Sequence, residues 1–167
     1  MPVRPIVRYP DPALKRTSEP VGRVGGWARA LAEDLVDTMR AVPACVGLAA
    51  PQIGVSARAI CVDVTGHRST TTCHGLVVLF DPVLVSSAAP EVRREGCLSV
   101  PHLTADVARA TGVGVRGTTP NGEARLIQTE GFEARAFLHE LDHLEGTLIL
   151  DRVASPGTLF ARKVYRS

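Results

Sequence analysis

Aromatic residues are scarce in this chain: seven among 167, too few for a platform on which nucleic-acid bases could stack. An excess of charge of one sign is also lacking. Nineteen Lys and Arg against 17 Asp and Glu leave a formal +2, too small for an electrostatic footprint aimed at nucleic acid or an anionic membrane. No run approaches the ~18 uninterrupted apolar residues of a membrane span. The opening MPVRPIVRYPDPALKR carries prolines and charges where a secretory signal would need an apolar stretch. No C-x-x-C pair occurs. Cys45, Cys61, Cys73 and Cys97 are spaced by 16, 12 and 24, so in a reducing compartment they are expected as free thiols or metal ligands. Together these absences predict a soluble, cytoplasmic protein with no nucleic-acid and no membrane partner.

What is present is an ordinary globular balance, 45% apolar and 22% charged, and the length suits one domain over residues 1–167. Glycine and proline, 15 and 12 residues, predict many turns and few long elements. The Pro-rich first 23 residues are expected to run extended over the surface. From Val24 to Met39 the spacing turns helical: Trp27, Leu31, Leu35 and Met39 recur every four residues and predict a core-facing stripe. Arg58–Val64 and Leu76–Val85 read as strands. Val113–Arg116 and Ala124–Thr129 read as a pair joined around the turn signal Asn121-Gly122. Helical spacing returns over Phe132–Glu145, with Gly146 as a stop. Helix, strands, then helix predict an α+β fold with antiparallel β-sheets and an N-terminal amphipathic helix. Arg162, Lys163 and Arg166 make a basic tail to which no role is assigned.

The sharpest chemical feature is His139-Glu140-Leu141-Asp142-His143. On a helix, residues i and i+4 share a face, so two imidazoles there can hold one metal ion with a carboxylate beside it to move protons. Phe137, Leu138, Leu141 and Leu144 make this helix apolar over much of its circumference, which predicts that it is buried at the centre of the fold. Two imidazoles and two acids are costly to bury without a task. A third ligand is needed. No His follows His143; Glu145 lies too close on the same helix, and Asp151 has no recognised spacing. Attention therefore moves to the cysteines. Cys97 follows Gly96, where the backbone can pass close to a ligand; Cys61 and Cys73 are read as core filler. A third cluster, Val46-Gly47-Leu48-Ala49-Ala50-Pro51-Gln52-Ile53-Gly54, allows a tight backbone approach and offers a side-chain donor and acceptor in Gln52.

VGLAAPQIG, EGCLS and HELDH, in that order and separated by about 40 residues, closely resemble the three signature motifs of peptide deformylase. Tyr9-Pro10-Asp11-Pro12-Ala13-Leu14, the Gly112–Glu123 region and the lead Glu130-Gly131…Ala134-Arg135 resemble the family as well. The resemblance implies removal of the formyl group from the N-terminal formyl-methionine of nascent polypeptides, met at the ribosome. It implies one divalent ion held by Cys97, His139 and His143 with water in the fourth position: Fe2+ in cells, with Zn2+, Ni2+ or Co2+ in preparations. Glu140 would act as general base and then acid. Gln52 and the Leu98 N–H would bind the oxyanion. Val46, Gly47 and Gly96 would hold the peptide backbone as an added strand, and Glu95, paired with Arg109, would support the metal ligands.

Two departures stand out. Cys45 occupies a position where the family has glycine. It is strained if φ is positive there, and it narrows the cleft if only size matters. Leu138 stands where the family has glutamine before the first metal histidine, which removes a polar group near the site. Two other readings follow from the same residues: a metallopeptidase sharing H-E-x-x-H, and a deformylase-like protein with narrowed or lost activity that binds peptide or antibiotic.

Overall fold

The structure, a computed structural model, describes residues 3–163. Its elements in chain order are α1 (Gly26–Ala41), β1 (Gly47–Ala49), β2 (Ala59–Val62), β3 (Val77–Ser87), β4 (Pro90–Cys97), β5 (Val100–Ala110), β6 (Gly112–Thr118), β7 (Ala124–Glu130), α2 (Gly131–Leu144) and β8 (Leu159–Ala161). The strands form a five-stranded sheet in the order β1-β2-β3-β6-β7 and a three-stranded sheet in the order β4-β5-β8, with every pairing antiparallel.

The uninterrupted apolar run of β2 is explained by burial on both faces. Ile60 and Val62 belong to a core with Val115, Ile127, Phe137 and Leu144, built against α2. Ala59 and Cys61 belong to a second core with Leu31, Leu35 and Met39 of α1. The two helices thus cover opposite faces of the larger sheet, and α2 lies between that sheet and the strands β4 and β5. A third core gathers Leu14, Val100, Val107, Leu148 and Ile149 around Cys97. Leu138 and Leu141 are half-buried and pack on the first core.

Several expectations need correcting. The stripe on α1 starts at Ala28 and Leu31. Trp27, in the first turn, remains 61% exposed. The N-terminal segment is mostly extended but is no surface ribbon throughout, since Leu14, in the 3-10 turn Pro12–Lys15, is fully buried. Cys73 is exposed in the β2–β3 loop and fills no core, whereas Cys61 does. Long elements are present despite the glycine and proline, β3 and β5 each running 11 residues. The tail contributes β8, which pairs Leu159 and Ala161 with Ala105 and Leu103 of β5; Arg166 lies outside the described residues.

Candidate active site

Three stretches of the chain bring the motif residues together at one cleft of about 1120 Å³. β4 ends on Glu95, Gly96 and Cys97, with Glu95 and Cys97 turned inward. α2 presents His139, Glu140 and His143. The short strand β1 and the 3-10 turn Ala50–Ile53 after it supply Gly47 and Gln52.

Cys97 Sγ lies 3.4 Å from His143 Nε2, which lies 3.3 Å from His139 Nε2. All three ligand atoms fall within 4.8 Å of one another. Tetrahedral coordination by Zn2+ or an ion of similar size, with bonds of ~2.0 Å to nitrogen and ~2.3 Å to sulfur, sets ligand atoms ~3.3 to 3.6 Å apart. The donor set therefore fits a divalent cation, and a thiolate with two imidazoles suits zinc or ferrous iron. Neither Glu145 nor Asp151 joins it; Glu145 pairs with Arg58 and Asp151 with Lys15.

The charges around the donors are arranged with care for each other. Glu95 is buried, which opposes its charge. Hydrogen bonds from His139 Nδ1 (2.9 Å) and from both Nε (2.9 Å) and Nη2 (3.0 Å) of Arg109 nevertheless hold its carboxyl far below the usual range. Arg135 adds a further bond to Glu95 (2.6 Å). Arg109 also pairs with Asp142, which accepts twice from Arg152 (2.8 Å each). The contact with Glu95 fixes the His139 ring so that Nε2 faces Cys97 and His143. Burial, then the neighbouring His139, push His143 well below the usual imidazole range. Its Nδ1 has no hydrogen-bond partner among the described residues.

Glu140 is buried, and burial raises its carboxyl to about 7 against the pull of His139 and Arg109. Its Oε2 has no partner among the described residues. Oε1 lies 2.6 Å from the point a Cβ would occupy on Gly47, so only glycine fits there without displacing the carboxylate. Gln52 is buried and its amide is oriented: Oε1 accepts from the Ala49 N–H (3.0 Å), while Nε2 donates to Ser99 Oγ (3.2 Å) and faces Cys97 Sγ at 3.8 Å. Leu98 and Ser99 form the turn between β4 and β5, and Leu98 lines the cleft.

β1 is an edge strand of its sheet. The Val46 carbonyl accepts from the Asp63 N–H (2.9 Å) and is thereby turned toward β2. The alternation of an antiparallel ladder then turns the N–H and C=O of Gly47 to the open edge. Cys45 lines the cleft too, and its φ is not positive; the left-handed residue is its neighbour Ala44, at φ 61°. Strain at Cys45 is thus excluded, and what the side chain does instead is donate its thiol to the Gly47 carbonyl (Sγ to O 3.2 Å). Burial, with Glu140 nearby, pushes this thiol up to about 11, so it stays protonated.

Sequence reading missed Ser99, Arg135, Asp142 and Arg152 as site supports. Arg135 was within reach: it stands four residues before His139 and so on the same helix face.

Residues 3–158 match the family model described as polypeptide deformylase. The peptide deformylase of Halothermothrix orenii is 42% identical over 157 residues, covering 94% of this chain and 97% of its own. Among solved structures, the peptide deformylase of Ehrlichia chaffeensis superposes with a TM-score of 0.85 at 32% identity, over 92% of this chain and 89% of its own. The Met-Ala-Ser-bound peptide deformylase of Acinetobacter baumannii gives 0.84 at 33% identity, over 91% of this chain and all of its own.

Proposed function

The chain belongs to the polypeptide deformylase family, whose members are metal-dependent hydrolases, and on that premise we propose that it removes the formyl group from the N-terminal formyl-methionine of nascent polypeptides, in the cytoplasm where they are made. The supporting observation is the meeting of Cys97, His139 and His143 in one cleft with a buried carboxylate, Glu140, that has one oxygen unpartnered. These three residues would hold one divalent ion, Fe2+ in cells. The ion supplies Lewis acidity, polarising the formyl carbonyl and lowering the pKa of water.

The remaining work falls to the chain's own groups. Glu140 takes a proton from the attacking water and returns it to the methionine nitrogen as the C–N bond breaks, releasing formate and a free amine. Gln52 Nε2 and the Leu98 N–H donate to the carbonyl oxygen as negative charge builds on it. Ser99 and the Ala49 N–H keep the Gln52 amide facing the reaction. The peptide lies along the open edge of β1, bonding to Gly47, with Val46 and Gly96 shaping its track. Glu95, charged through Arg109 and Arg135, holds His139 in its tautomer and orientation.

Turnover of formyl-Met-Ala-Ser and acetyl-Met-Ala-Ser under anaerobic conditions tests this, with Fe2+ and separately with Ni2+. Formate release from the first and no cleavage of the second is expected. Full metal occupancy without formate release would refute the reading, as would cleavage of an internal peptide bond.

A further inference from the structure

Arg162 takes no part in the chemistry above, yet its guanidinium stands at the lip of the cleft. The strand β8 delivers it. Ala161 pairs with Leu103 on β5, and the Arg162 N–H donates to the His102 carbonyl (2.9 Å). Phe160, two residues before Arg162 on the same face, is held by the Arg94 guanidinium stacked 3.6 Å from its ring centroid. From this anchor the Arg162 side chain reaches across to β4, where Nη2 fills the place a Cβ would take on Gly96.

The other cations at this end of β4 are satisfied. Arg94 pairs with Asp106 (3.0 Å), and Arg93 donates twice to Glu91 (3.0 and 2.9 Å). Arg162 has no hydrogen-bond or ion-pair partner for its side chain among the described residues. A permanently charged fork of five donors is thus left open to the cleft, next to the residue before the proposed ligand Cys97. A formylated peptide carries no charge at its N-terminus, so nothing at its reacting end repels this lip.

Resting on the deformylase reading, we propose that Arg162 is a specificity-determining residue that binds a carboxylate carried by the peptide downstream of the formyl-methionine. The ion pair would be charge-assisted and forked. An extended peptide advances ~3.3 Å per residue, and Gly96 adjoins the reacting end, so the third residue comes within reach of the guanidinium. The carboxylate can be the side chain of an Asp or Glu there, or the terminal carboxylate of a very short peptide.

The test compares kcat/KM of the metal-loaded protein for four peptides: formyl-Met-Ala-Glu amide, formyl-Met-Ala-Gln amide, formyl-Met-Ala-Lys amide, and formyl-Met-Ala-Gln with a free terminal carboxylate. The Glu amide is expected to exceed the Gln amide by about five- to tenfold, through KM, and the advantage should shrink as salt is raised. A gain confined to the free-carboxylate peptide would assign the site to terminal carboxylates. Arg162→Gln should bring the Glu-to-Gln ratio to about one, and Arg162→Glu should turn the preference toward the Lys amide. Equal kcat/KM for all four peptides in the unmodified protein would overturn the proposal while leaving the deformylase reading intact. So would an Arg162→Gln protein that loses equally on all four. If that variant does not fold, the salt dependence of the unmodified protein decides. Failure to deformylate any of the four would instead overturn the reading on which the proposal rests.

Discussion

Glu140 and Gly47 fit one another at a distance that admits no extra carbon, so the carboxylate is held by shape as well as by its helix. It sits one residue past His139, about 100° around the helix from the ligand face at 3.6 residues per turn, beside the donors and not among them. Glu140→Gln keeps the size, and should keep full metal by elemental analysis, while kcat falls by roughly 10²–10⁴, as expected for a lost general base. Near-normal turnover in that variant would place the proton acceptor elsewhere. Cys45 invites a second experiment. Its thiol occupies the outward carbonyl of Gly47, the group an added peptide strand would bond. Cys45→Ala should free that acceptor and lower KM for formyl peptides by about two- to fivefold, the worth of one modest hydrogen bond, with kcat unchanged. An unchanged KM together with a lower Tm would mean that the sulfur serves packing. Helical spacing was enough to expose His139, His143 and Glu140, because an i, i+4 pair declares its geometry. Cys97 was legible only through its motif, since the contact joining it to His143 spans 46 residues. The backbone angle at Cys45 was beyond local reasoning: the left-handed turn falls on Ala44.

The N-terminal segment acts as a strap. Val7, Tyr9 and Ser18 donate backbone N–H groups to the carbonyls of Gln52, Ser99 and Leu144, one in each of the three stretches that build the cleft (2.8 Å each). The end of α2 is fitted against that strap. Gly146 has φ 69°, and a Cβ there would lie 2.6 Å from the Lys15 carbonyl. Gly146→Ala combines left-handed strain with a backbone clash, and should cost about 2 kcal/mol or more in urea unfolding; a loss under about 0.5 kcal/mol would show that strap and helix end part easily. Elements with a buried face were readable. The run over Arg58–Val64 contained β2, and the two helices fell within two residues of their observed ends. β4 escaped notice because Pro90–Arg94 is solvent-exposed and charged, with no apolar alternation to reveal a strand; β5 buries Val100, Ala105 and Val107 but sets the charged Arg109 at the next inward position, which breaks the apolar alternation. β8, three residues long, exists by virtue of β5, more than 50 residues earlier in the chain.

Across the whole molecule, the donors come from two sheets. Cys97 ends β4 of the smaller sheet, while His139 and His143 ride on the helix packed against the larger one. A bound cation would therefore tie the two halves together, and its binding energy would count toward folding. At 1,000 times Kd the linkage is worth about 4 kcal/mol. At about 2–4 °C per kcal/mol for a chain of this size, free metal held at that excess should raise Tm by roughly 10 °C over the chelator-treated protein. A Tm indifferent to metal and chelator would refute the shared site. How such unfolding is watched depends on one side chain. The only tryptophan in the sequence, Trp27, already faces water in the folded state. Its emission should hardly redden when the chain opens, so intrinsic fluorescence would report a flat line where circular dichroism or calorimetry records a transition.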